Sequence, residues 1–184
     1  MPIIFSYAFR PLFLLTTLYA IAIVPFWVAG WMGLHSVPTT LGPPMWWHAH
    51  EMIFGFAGAA VGGFSLTAVA TWTKRPPVAG VPLALLVALW MVARVLFFLP
   101  FEGMFAVAAL ADMGYASLLF GLMSREILGA RSRRNYKVLA ILASFALVHA
   151  MFLFGVATHA PWVGATGLAA VWVLVLLINL IGGR

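Results

Sequence analysis

The chain contains no cysteine, and its 184 residues include only four acids. Without cysteine there are no disulfides, zinc–thiolate sites, iron–sulfur clusters or thiol nucleophiles. Any metal must be held by His, Met, Asp, Glu or Tyr. Charge of either sign is scarce, at 8% of residues. No Gly-rich phosphate loop is present, and no Ser-His-Asp spacing supports nucleophilic catalysis. Acid–base catalysis without a cofactor is therefore an unattractive reading. The N-terminus lacks a basic region followed by a small-residue cleavage site, so the first apolar segment is expected to be a retained span.

What fills the chain instead is apolar. Hydrophobic residues make up 65% of it, and the mean hydropathy is +1.09. A spanning helix needs roughly 20 mostly apolar residues. Six segments qualify: 11–33, 46–71, 81–99, 103–123, 136–157 and 161–182. The breaks between them, GLHSVPTTLGPP, TKRPPVAG, PFEG, SREILGARSRRN and ATHAP, combine Gly, Pro and charge. The expected fold is all-α: one integral-membrane bundle of six transmembrane helices, with residues 1–184 as a single domain.

The pI of about 10.6 would suit nucleic acid, but the basic residues have another use. Arg10, Lys74, Arg75, Arg125, Arg131, Arg133, Arg134, Lys137 and Arg184 all fall on one side of the predicted topology. The positive-inside rule makes that side cytoplasmic, with both termini there. The expected partner is the lipid bilayer, not nucleic acid. Trp27, Trp31, Trp46, Trp47, Phe97, Phe98, Phe101 and Trp162 then gather at the outer interface as an aromatic belt.

With that orientation, the remaining titratable groups concentrate in the outer half. His35, Glu102 and His159 fall in or beside outer loops; His48, His50 and Glu51 open the second span. Arg94, Asp112 and His149 lie within spans three, four and five. At about 1.5 Å rise per residue, Glu51 and Arg94 each lie roughly 7 Å below the outer ends of their spans. Asp112 and His149 lie roughly 12–14 Å down by the same rise. Equal depth allows Glu51 to pair with Arg94, and Asp112 to orient His149. Intramembrane charges usually face the bundle interior and mark a site or a path.

Regular helix spacing puts His48 and Glu51 on one face and His50 on the other. One metal cannot take both histidines unless the first turn is irregular. After them, small residues recur every fourth position, as Gly55, Ala59, Gly63 and as Gly58, Gly62. Such a face serves helix packing, or lets a flat macrocycle lie against the backbone. Membrane bundles hold haem between axial histidines, and the expected ligands of haem b are His50 and His149. His48 is the alternate or second-site ligand, and Gly55, Gly58 and Gly62 would line the cofactor. Copper is the second candidate, because Met32, Met45, Met52 and Met104 lie on the same side and thioether with imidazole suits Cu(I). Other readings are a small transporter or metal-handling permease using the same groups as a relay, and an accessory subunit of a larger complex.

The run HAHEMIFGFAGAAVGGFSLTAVATWT (His48–Thr73) resembles the signature of the NnrS family. FRPLFLL (Phe9–Leu15), LWMVAR (Leu89–Arg94), RRN (Arg133–Asn135) and GGR (Gly182–Arg184) follow in the family's order. The resemblance covers the whole chain and implies a haem- and copper-associated protein of the bacterial inner membrane. Its implied role is tolerance of nitric oxide and nitrosative stress, by binding nitric oxide or a related small ligand, or by electron transfer. His48, His50 and Glu51 are the positions it carries over. Members usually have roughly a dozen spans of about 20 apolar residues, so this chain resembles their N-terminal half. A homo-oligomer or a separate second half is the corresponding partner.

Overall fold

The structure, a computed structural model, describes residues 2–99, 101 and 103–182. Glu102, Gly183 and Arg184, which the sequence reading placed in an outer loop and at the closing motif, lie outside them. The described residues form helices α1 (Phe9–Trp31), α2 (Pro44–His50), α3 (Gly58–Thr73), α4 (Val81–Phe98), α5 (Met104–Gly129), α6 (Tyr136–Ala157) and α7 (Val163–Gly182). A π-helical segment, Glu51–Ala57, joins α2 to α3 without a break. Among the described residues, six helices are thus long and apolar enough to cross a membrane, with Pro44–Thr73 as the second.

The helical state follows from the solvent. In hydrocarbon, a spanning segment must satisfy its backbone groups internally, which helices do. The ends are fixed by local chemistry. Pro44 and Pro82 occupy first turns, where a missing N–H costs nothing. Gly80 has φ +71°, open to glycine, and its N–H donates to the Phe5 carbonyl at 2.9 Å. The Phe9 N–H, an orphan at the start of α1, donates to Thr67 Oγ1 at 3.1 Å. That contact ties the start of α1 to the lower half of α3.

Two expected boundaries move. The fourth span, α5, runs on to Gly129 instead of stopping near Met123. Its extra turns carry Arg125 and Glu126, and Glu126 is held by Arg75 Nε at 2.6 Å and Arg125 Nε at 2.8 Å. Charge inside the helix marked a break in the sequence, yet a paired charge continues the helix. The second helix starts at Pro44, two residues before Trp46, for the capping reason above.

Large apolar side chains such as Ile21, Leu110, Leu147, Phe154 and Ile178 point outward and stay exposed. In lipid this costs nothing, and the interior buries other aliphatic side chains, among them Leu12, Leu66, Leu83 and Ile127, together with aromatics and small residues. Gly63 shows the fit: a Cβ there would meet Phe13 Cδ1 at 2.9 Å and Leu12 Cβ at 3.1 Å on α1. The aromatic belt needs a correction. Trp47 and Phe97 are fully buried. Trp47 packs edge-on against Phe98 at 5.4 Å and Phe26 at 5.8 Å, so it closes the core beneath the loop instead of anchoring the surface.

Candidate metal centre

Side chains from five of the six spans meet in one sealed cluster. Tyr19 comes from α1, His50 and Glu51 from the α2 end, Arg94 from α4, Asp112 from α5 and His149 from α6. His50, Glu51 and Asp112 are at most 1% exposed, and Arg94 and His149 at most 5%. The walls are aromatic. Phe54 stacks on His149 at 4.0 Å, with an interplanar angle of 7°. Phe97 lies edge-on to His50 at 4.7 Å and Phe152 lies 5.7 Å from it.

The π segment explains why His50 and Glu51 reach the same interior. Its wider turn breaks the 3.6 periodicity at Glu51, a departure that recurs at functional sites. Side chains from other helices bond to carbonyls in it and at its junction with α3: Trp90 Nε1 donates to Gly55 O, and the Tyr115 hydroxyl to Gly58 O, each at 2.9 Å. His48 is left outside. Its ring stacks on Trp27 at 4.1 Å and 10°, facing a separate surface pocket that Met45 and Trp31 also line.

Within the cluster, Arg94 Nη1 donates to both oxygens of Glu51 at 3.0 Å. Glu51 also accepts from the Tyr19 hydroxyl and from His50 Nδ1 at 3.0 Å. A carboxylate held by Arg94 can only accept, so His50 carries its proton on Nδ1 and offers Nε2 inward. The depth-matched pairs do meet, but as one network and not two. Arg94 Nη2 also lies 2.6 Å from Asp112 Oδ2.

Three atoms converge beyond this frame. His50 Nε2 and His149 Nε2 are 3.1 Å apart, and Asp112 Oδ2 lies 3.2 Å from the first and 3.3 Å from the second. These separations, including the one to Arg94, are within ion-pair reach. Yet neither oxygen of Asp112 receives an aligned hydrogen bond. Arg94 balances part of that carboxylate's charge, and its Oδ2 also faces the two imidazole nitrogens, where a further cation would bind. The triangle would suit a single ion: its circumradius of about 1.85 Å is within the usual metal–imidazole length of about 2.0–2.1 Å. Two imidazoles and a carboxylate are donors that first-row metals accept, and among the described residues His50, Asp112 and His149 form a group that could hold one.

The expected haem between His50 and His149 does not fit this arrangement. Axial nitrogens on one iron face each other across a macrocycle, roughly 4 Å apart at ordinary bond lengths. Here they are 3.1 Å apart, with aromatic rings packed around them. Nor do the glycines offer a platform. A Cβ on Gly55 would strike Arg94 Nη1, and one on Gly62 the Tyr115 hydroxyl. At Gly63 the stripe admits α1, whereas a Cβ on Gly58 would meet nothing within 4 Å. His35 belongs to the loop, with its ring nitrogens 2.9 Å from the carbonyls of Phe26 and Ser36. His159 is exposed at the α6–α7 turn, with φ +52°. Sequence reasoning missed Tyr19 as part of the cluster; a lone tyrosine in an apolar helix gives no signal of its own.

Gly55 gives a direct test of this packing. An exposed helical Gly→Ala change gains roughly 1 kcal/mol. Gly55→Ala is instead expected to lose about 1–3 kcal/mol, the cost of overpacking, because the new methyl displaces a guanidinium pinned at both ends. Thermal unfolding in detergent, beside lipid-facing Gly164→Ala, reads the difference; equal shifts in the two would contradict the packing described.

Fold and site together define a multi-pass membrane-helix protein with a sealed group able to hold a metal ion. The family profile described as NnrS protein matches residues 3–184, and the chain belongs to the NnrS family. No curated protein and no solved structure matches it.

Proposed function

We propose that this chain holds one copper ion through His50, His149 and Asp112, and that it serves tolerance of nitric oxide at the bacterial inner membrane. The observation that carries the metal reading is the buried triangle of ligand atoms with sides of 3.1–3.3 Å. The nitric oxide role follows from what NnrS membership implies. The bias of basic residues supports an orientation with both termini cytoplasmic and the cluster in the periplasmic half.

Charge favours a monovalent ion. With Glu51 and Asp112 ionised, Arg94 charged and both imidazoles neutral, the cluster carries one net negative charge. A proton or Cu(I) cancels it, whereas a divalent ion reverses it, and uncompensated charge is costly in hydrocarbon. Bound there, copper supplies a one-electron centre and a coordination position for a small diatomic ligand. The protein does the rest. Glu51 fixes the His50 tautomer, as an outer carboxylate does for a ligating histidine. Arg94 holds both carboxylates in place, Tyr19 caps Glu51, and Phe54, Phe97 and Phe152 keep water out.

The test is a Cu(I) titration of the full chain in lipid discs, against a chromophoric chelator such as bicinchoninate. One equivalent per chain is expected, with no haem absorption in the same preparation. No uptake beyond empty discs would sink the metal reading. Stoichiometric haem would replace it with a macrocycle site.

A further inference from the structure

Beside His149 the bundle leaves a cavity of about 20 Å³ between the π segment, α3, α5 and α6. Its lining includes Phe54, Gly58, Tyr115, Ala116, Ala146 and the His149 ring. A second observation locates the same space. Gly58 is buried, yet a Cβ built on it would meet nothing within 4 Å. Buried space that a methyl group can enter freely is a void and not a packed contact.

We infer that this void is a docking site for a small neutral diatomic gas, poised next to the ligating imidazole of His149. Size comes first. A cavity needs roughly 10–15 Å³ on this measure to hold one water-sized molecule, so the space takes a single small guest, a diatomic molecule or one xenon atom. Polarity comes second. The Tyr115 hydroxyl is already committed to Gly58 O, and the His149 Nε2 faces His50 and Asp112. A water needs two to four polar partners, and apolar cavities stay dry and admit xenon-like guests. Access comes third. Ala116, Phe120 and Ala146 are only partly buried, so the void lies just under the lipid-facing surface, and neutral gases dissolve in lipid. Nitric oxide and dioxygen share these properties. The inference rests on the proposed metal site for its purpose, but not for its test.

The probe is xenon, applied to metal-free full-length protein in lipid discs and read by xenon-129 NMR with empty discs as the blank. A bound resonance, distinct from lipid-dissolved xenon, is expected for the unaltered chain. Gly58→Ala puts a methyl into the void without a clash and is expected to weaken xenon binding at least tenfold. Ala146→Leu should abolish it. Gly164→Ala, on the outer face of α7, is the matched control and should leave the resonance unchanged. Absence of a bound resonance, or one indifferent to Gly58→Ala and Ala146→Leu, would overturn the inference. Either result leaves the copper titration standing, so the two readings fail separately.

Discussion

Replacing Arg94 with methionine is expected to cost about 3–5 kcal/mol of stability, the range for removing one partner from a buried ion pair. Methionine keeps the length, the helix propensity and the packing against Trp90 and Phe97. What it removes is the cation shared by Glu51 and Asp112 at 2.6–3.0 Å. Both carboxylates then remain in a water-free interior. Glu51 retains Tyr19 and His50 as donors, whereas Asp112 is left facing only the two imidazole nitrogens at 3.2–3.3 Å. Unfolding by SDS or heat in lipid discs would measure the loss. A second variant separates charge from packing: Arg94→Met combined with Glu51→Gln and Asp112→Asn should recover much of the deficit, because a buried ion network replaced by uncharged groups is often nearly neutral. Arg94→Met as stable as the unaltered chain would mean that the cluster is not ionised as described.

Copper affinity should fall in a graded order that follows position in the cluster. Glu51→Gln leaves all three ligand atoms and only weakens the hold on His50 Nδ1. The expected loss is about 10–100-fold, as for outer partners of a ligating histidine. Asp112→Asn replaces the carboxylate ligand by a neutral amide and removes the charge that makes Cu(I) neutral in the cluster. His50→Ala and His149→Ala each remove a ligand nitrogen. All three are expected to exceed that 10–100-fold range. His48→Ala provides the contrast, because its ring stacks on Trp27 and takes no part in the triangle; its affinity should be unchanged. The same Cu(I) competition reads every variant. Loss in His48→Ala with retention in His50→Ala would move the site to the outer lip, where His48 and Met45 line one pocket.

The sequence by itself determined the fold class and the residues worth watching. Helix length in lipid is set by apolar run length, and Pro and Gly punctuation is a local property, so six spans were readable from composition along the chain. Scarcity of charge did the same for the site. With so few titratable groups in the spans, Glu51, Arg94, Asp112 and His149 stood out, and rise per residue matched their depths. Helix rotation was not readable, because it depends on which faces pack. The π segment at Glu51–Ala57 shifts the register after His50, and no local propensity announces it; it is held by Trp90 and Tyr115 from other helices. That packing decided that His50 and not His48 enters the core, that Trp47 seals it, and that Gly55 and Gly62 admit Arg94 and Tyr115. It also merged two depth-matched pairs into one network through Arg94, since a guanidinium with several donors can bridge two carboxylates where pairwise reasoning saw only one.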